Sequence, residues 1–412
     1  MAHSSNECTR RGGTRRRSLL QGVGAAGVAL TAGCLGGNGD EDDDVITIGS
    51  LQPLSGPFTP WGNAHQAGLE FAVNEINENG GVLDQELRIV ETDTESDAGE
   101  ADTIFRRYVE EENAVAMTGP VSSDVGVRTG QTAEQMEVPL VLHMAGSHRI
   151  HTKSSQYTFR MGSLPAPMDL QPQAELIEAE GYETVGAVNA DYEWGNTVEE
   201  QIGELFPESV DLETAMTPQD ESDFAPFLRD FPDEMDLLVA TGHPPAQNAI
   251  HSQALELGFE HEMTTGSGQP PGVIYEDLGD EAETFAHLHI ADVYDDQFVD
   301  VAERFADETG DRMDTHEALG YVAGELIATA IEEADSTEPA EIADAIRDIE
   351  LDTLFAAPLQ YNEWGEIDEV VALLSTFEAG EPDYYPDGEF RLVEQYRSDP
   401  MSADLVEPLV ED

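Results

Sequence analysis

Apolar residues along this chain follow two alternating rhythms. Val45-Ile46-Thr47-Ile48-Gly49 is a short β-branched run that reads as a strand. After it, Ala64, Ala67, Gly68, Phe71, Ala72 and Ile76 recur at helical spacing, and Asn79-Gly80-Gly81 ends the helix. Strands at 87–90, 114–118 and 138–142 then alternate with helices at 101–112 and 131–136. This order predicts a parallel sheet with right-handed crossovers. The pattern restarts after Phe159-Arg160-Met161, with helices at 173–180, 197–205 and 246–257 and strands at 184–189 and 236–241. Three more helices follow at 297–308, 316–333 and 339–349, and the Pro- and Asp-rich stretch from Tyr384 reads as a mobile tail. Two α/β blocks in a chain of 412 residues predict two lobes rather than one core. Ligands of open parallel sheets sit outside the carboxyl ends of the strands, so two facing sheets frame a binding cleft.

Charge changes the picture most. The chain carries 86 acidic and 18 basic residues, a formal net charge of −68, and Lys153 is its only lysine. Such a surface repels itself in dilute buffer, whereas in molar salt the Debye length falls to about 3 Å and the repulsion is screened. The acids are spread along the chain, which reads as adaptation to high salt rather than as a patch for one cationic partner. No basic stripe exists to neutralise phosphates, so nucleic acid is excluded as a partner.

Both cysteines, Cys8 and Cys34, lie in the first 34 residues, so the body has no internal disulfide. Arg15-Arg16-Arg17 precedes a small-residue, weakly apolar run from Gly22 to Ala32, too short to span a membrane. The arginines resemble a twin-arginine export signal. Thr31-Ala32-Gly33-Cys34 resembles a lipobox, whose cysteine sulfur takes the lipid and becomes the first mature residue. Residues 1–33 are therefore expected to be a signal, and 34–44 a lipidated, acidic tether holding the protein on the outer face of the cytoplasmic membrane.

From residue 45 onward several motifs coincide. Val45-Ile46-Thr47-Ile48-Gly49-Ser50-Leu51-Gln52-Pro53-Leu54-Ser55-Gly56-Pro57 with Trp61-Gly62 resembles the opening of the branched-chain amino-acid (Leu/Ile/Val) binding protein family. So do Gly68-Leu69-Glu70-Phe71-Ala72-Val73-Asn74-Glu75-Ile76-Asn77, Gly119-Pro120-Val121-Ser122-Ser123, Tyr192-Glu193-Trp194-Gly195, and Thr353 to Asn362. The resemblance runs in order from about residue 45 to 375. It implies an α/β fold, the two-lobed type I periplasmic-binding-protein clamp, with three crossovers near 159–164, 286–292 and 355–361. One lobe would then be 45–160 plus 290–355 and the other 161–289 plus 356–400, with 401–412 as tail. It also implies a solute-binding protein delivering a small amino-acid-like ligand (a branched-chain amino acid, or a related amide, urea or carboxylate) to the permease subunits of an ABC importer, working as a monomer without a cofactor.

The same resemblance supplies the candidate site. Ser122 and Ser123 occupy the turn that grips a ligand carboxylate, where a loop entering a helix presents hydroxyl and N–H donors; simple helix capping is the plainer role. Ala145, Gly146 and Ser147 form the next strip. Trp61 and Trp194 stand where aromatic residues cover the ligand from either lobe, although core packing would also explain them. His243 follows Gly242, which replaces a tyrosine common in relatives. Ser267 stands where relatives that bind α-amino acids place an acid opposite the ammonium. That replacement weakens the case for an α-amino acid, because an unpaired buried ammonium is costly. His148 with His151, and His287 with His289, lack a third partner at metal-binding spacing and read as surface histidines. A ligand sensor of the same fold is the alternative function. A hydrolase is the least favoured, since no Gly-x-Ser-x-Gly elbow, zinc helix or phosphate loop occurs.

Overall fold

The structure is a computed structural model that describes residues 45–411 except 233, 243–245, 266–267 and 387. Its first half follows the alternation of the sequence: β1 (Val45–Ser50), α1 (Thr59–Glu78), β2 (Glu86–Glu91), α2 (Ala98–Glu111), β3 (Ala114–Thr118), α3 (Ser123–Met136), β4 (Leu140–Leu142) and β5 (Thr158–Arg160). These strands form a five-stranded sheet in the order β2-β1-β3-β4-β5, parallel throughout. The inner strands β1, β3 and β4 carry the near-continuous apolar runs that a sheet covered on both faces requires.

The chain then builds α4 (Ala166–Glu180), β6 (Thr184–Ala190), α5 (Glu193–Leu205), β7 (Asp211–Thr217), α6 (Ala225–Leu228), β8 (Leu237–Thr241), α7 (Ala246–Glu256), β9 (Glu262–Thr265), α8 (Pro271–Leu278) and β10 (Phe285–His289). From β10 it returns as α9 (Asp296–Thr309), α10 (Thr315–Ala334) and α11 (Pro339–Asp348). It ends in β11 (Glu350–Leu351), β12 (Leu359–Gln360), β13 (Leu373–Ala379) and β14 (Phe390–Arg397). The second sheet has seven strands in the order β14-β13-β10-β9-β8-β6-β7, with β13 and β14 antiparallel to their neighbours. The molecule is thus a two-lobed α/β clamp, each lobe a mostly parallel sheet with helices around it.

Helix α10 belongs with the first sheet because two glycines let it press on α1. A Cβ added at Gly68 would stand 1.8 Å from the Glu317 carbonyl oxygen, and one at Gly320 would stand 2.0 Å from that of His65. Backbone meets backbone there, so any side chain would force the helices apart. The start of α10 is secured by a capping box between Asp314 and Glu317.

The stretch read as a mobile tail is structured instead. Phe390 and Leu392 face inward in β14, Val370 and Met401 exchange backbone bonds of 3.0 and 2.8 Å, and Val406 is fully buried. The Pro- and Asp-rich composition belongs to the turn around 382–386, and the alternation behind it is a strand.

Candidate functional site

Two turns of the first lobe form one wall of a cleft. The first is the β3–α3 turn. Gly119 takes φ +112° there, where a Cβ would lie 2.6 Å from the Leu51 carbonyl oxygen. Ser122 is the N-cap of α3 in extended conformation, yet its side chain makes no capping hydrogen bond. Its hydroxyl and the first N–H groups of a 14-residue helix thus lie at one end of the cleft. Ser123 has a different task. Its Oγ accepts from the N–H groups of Gly146 and Ser147 at 3.1 and 3.2 Å and ties down the loop after β4. The second turn is the start of α1, where Phe58 and Trp61 pack together with ring centroids 5.7 Å apart.

The facing wall comes from strand-to-helix turns of the second lobe. Between β6 and α5, Gly195 allows a sharp turn, since a Cβ there would stand 1.9 Å from the Ala190 carbonyl oxygen. This turn presents Tyr192 and Trp194. Gly242, just after β8, and Gln247, in the first turn of α7, add to this wall. Trp61, Ser122, Ser123, Met144, Tyr192, Trp194 and Gln247 are among the residues lining one cavity of about 30 Å³. No acidic side chain lines it among the described residues. Trp194 and Gln247 are both more than nine-tenths buried, yet the indole N–H and the amide oxygen have no hydrogen-bond partner among the described residues.

The walls also touch. Trp61 donates its indole N–H across the cleft to the Gly268 carbonyl at 3.1 Å. The ring of Trp194 lies against Gly146, where an added Cβ would meet it at 2.7 Å. Outside the rings, Arg149 donates to both oxygens of Glu193 and both of Glu200 at 3.1 to 3.2 Å, and the Ser147 hydroxyl donates to Glu193 at 2.7 Å.

Beyond Met144 lies a second cavity, also about 30 Å³, lined by Ser163, Asp169, His289, Thr315 and His316 among others. Behind it runs a chain of imidazoles. His65 stacks on His143 at 3.9 Å, His143 meets His316 edge-on at 6.4 Å, His316 stacks on His287 at 6.2 Å, and His287 on His289 at 5.3 Å. Burial, and then in most cases the neighbouring imidazoles, push His65 and His316 down to about 3 and His289 to about 4, and hold His143 and His287 well below the usual range. All are therefore neutral at pH 7. His289 donates from Nδ1 to the Ala291 carbonyl at 2.7 Å, which leaves Nε2 to accept from Ser375.

Of the sequence-derived candidates, Trp61, Ser122, Ser123 and Trp194 converge on the first cavity. Ala145, Gly146 and Ser147 sit behind it. The Ala145 and Ser147 carbonyls accept from Arg160, and the Ser147 hydroxyl is engaged with Glu193. His243, Ser267 and Cys34 lie outside the described residues. Sequence reasoning missed Phe58, Met144, Tyr192 and Gln247. Tyr192 adjoins Glu193-Trp194-Gly195 and was legible there; Gln247 had no signal, being one amide in an ordinary helix. The reading of His148, His151, His287 and His289 as surface residues is corrected, since all four are buried. His287 and His289 share one strand face inside the clamp, and His151 contacts the buried Arg160. A neutral imidazole enters a core readily when partners are at hand.

A family model described as periplasmic binding protein matches residues 45–380. Over 352 residues the chain is 24% identical to the Leu/Ile/Val-binding protein homolog 7 of Brucella suis biovar 1, covering 79% of this chain and 85% of that protein. Over 91 residues, 22% of each chain, it is 36% identical to the substrate-binding protein of a chemotactic signal transduction system in Halobacterium salinarum. A solute-binding protein of an ABC transporter from R. palustris, solved with 4-hydroxybenzoate, superposes with a TM-score of 0.75 at 17% identity over 87% of this chain and 98% of that one.

Proposed function

This chain belongs to the periplasmic binding protein family, and we propose that it captures a small amino-acid-like solute outside the cell for the permease of an ABC importer. The observation that carries the reading is the pair of tryptophans, one from each lobe, which line the same cavity as Ser122 and Ser123 at the N-terminus of α3. Closure on a ligand shifts an open–closed equilibrium that a membrane partner reads, and no bond needs to be made or broken. The proposed lobes are 45–160 with 290–355, and 161–289 with 356–400. Export by the arginine-rich signal, lipid attachment at Cys34, a location on the cell exterior and a surface suited to molar salt complete the proposal. They rest on the sequence features described above.

Thermal-shift and calorimetric titration of the ligand-stripped protein in molar KCl tests it. A small metabolite that raises Tm and binds with one-to-one stoichiometry is the expected result; stabilisation by none of a broad panel of amino acids, amides and carboxylates sinks the reading. The likeness to a chemotactic substrate-binding protein favours a second reading, in which the closed clamp signals to a receptor. Uptake of labelled ligand by cells lacking this protein separates the two, since only the importer reading requires that uptake fall.

A further inference from the structure

Resting on the clamp reading, we infer that the ligand is a small monocarboxylate with an apolar or aromatic body and no ammonium group. One end of the first cavity offers an anion the Ser122 hydroxyl, which does not cap its helix, together with the N-terminal N–H groups of α3. The rest of the wall is Phe58, Trp61, Met144 and Trp194, surfaces that gain by covering carbon. An α-ammonium on the same ligand would need a carboxylate or several acceptors close by. No acidic side chain lines this cavity among the described residues. Asp169 lies beyond Met144 in the second cavity, and its Oδ2 already accepts from Gln173 at 3.1 Å.

Two further groups point to an occupant. The Trp194 N–H and the Gln247 amide oxygen are buried in the wall and unpartnered among the described residues, a donor and an acceptor that suit a polar substituent such as a hydroxyl. Asp124, in the first turn of α3, opposes the anion. It is exposed, and at molar salt a Debye length of about 3 Å screens it.

The test uses matched pairs titrated calorimetrically into the ligand-stripped protein in molar KCl: L-leucine against 4-methylpentanoate, L-phenylalanine against 3-phenylpropanoate, and benzamide against benzoate. At least one acid should bind ten-fold or more tightly than its amino-acid or amide counterpart, and Ser122→Ala should cut that affinity several-fold without moving the Tm of the free protein. Tighter binding of leucine or phenylalanine than of the acid with the same skeleton overturns the inference and leaves the clamp reading standing. Binding of benzamide as tight as that of benzoate also overturns it, because the anion site would then be idle. Failure of all six, together with the broad metabolite panel, brings down the clamp reading and this inference with it.

Discussion

The two walls of the cleft are supported in opposite ways. Behind the first-lobe wall the supporting ion pair and imidazoles are buried. Arg160 in β5 pairs with Glu366 through Nε and Oε1 at 2.6 Å, both side chains fully buried, and reaches the Ala145 and Ser147 carbonyls with its remaining nitrogens. The imidazole chain passes beside the same loop, through His143 immediately before Met144. The second-lobe wall, at α5, is held across the cleft by Arg149, whose side chain is 44% exposed. Buried support makes a fixed receptor, whereas exposed support makes a jaw that can let go. Acid and core substitutions should therefore damage the first wall, and salt and surface substitutions the second.

Acid gives the largest expected effect. The five ladder histidines have folded pKa values below the unfolded value of about 6.5. Their unfolded forms therefore bind protons first as the pH falls. Stability is full above about pH 6.5 and declines below it, at roughly 1.4 kcal/mol per imidazole per pH unit while each stays neutral in the fold. Glu317 works in the opposite direction. Burial and then Asp314 raise it to about 8, so its contribution improves from pH 8 down to about 4.5 and offsets about one histidine. The unfolding free energy from denaturant titrations in molar KCl should drop between pH 7 and 5 by roughly 5–10 kcal/mol. A flat profile would mean that the imidazoles stay solvated.

Arg160→Met comes next. It strands Glu366 in the core without its cation, for an expected loss of about 3–5 kcal/mol in global stability. Replacing Arg160 and Glu366 together by apolar residues should recover much of that loss, though not the loop at Ala145–Ser147 whose carbonyls Arg160 holds. Equal losses for the single and double variants would show that the pair contributes nothing as a pair.

The same contrast explains what could be read from the chain. Buried strands such as 114–118 declare themselves as apolar runs, and most helices of the body were located with their starts set too late. Helix α3 was found from 131 although it starts at Ser123, because Gly126 and Gly130 interrupt its apolar stripe. These glycines are needed where the helix passes Ala145 and Ile150, contacts that no local pattern records. The edge strand 211–217 was missed because most of its side chains are exposed or half-exposed and no face alternates cleanly. In the site, residues carried by a motif (Trp61, Ser122, Ser123, Trp194) come together. Contacts made by folding alone, such as Arg149 with Glu193 and Glu200 or the packing of the histidines, left no trace in local sequence.

Trp194→Ala tests the moving jaw directly. The ring lines the cavity and lies on Gly146, so its removal should weaken ligand binding by about 1–3 kcal/mol. Its helix is anchored elsewhere by Val198 and Ile202 in the second-lobe core, so the lobe should remain folded. An unchanged affinity in calorimetry would move the ligand away from this cavity.

The smallest effect belongs to Arg149→Gln. Exposed ion pairs contribute about 0–1 kcal/mol, and molar salt screens them further. Arg149 nevertheless meets four carboxylate oxygens with one guanidinium, a geometry in which exposed pairs retain measurable strength. Because its partners lie across the cleft, its contribution falls on the closed state alone. Ligand dissociation should then speed up by a factor of about 2–5, with association and Tm of the free protein nearly unchanged. The gap between wild type and variant should widen as KCl is lowered toward the limit of stability. Stopped-flow release of a fluorescent ligand across that range decides the matter: a salt-independent gap, or a slower association, would make Arg149 part of the first wall's fixed frame rather than a catch on the second.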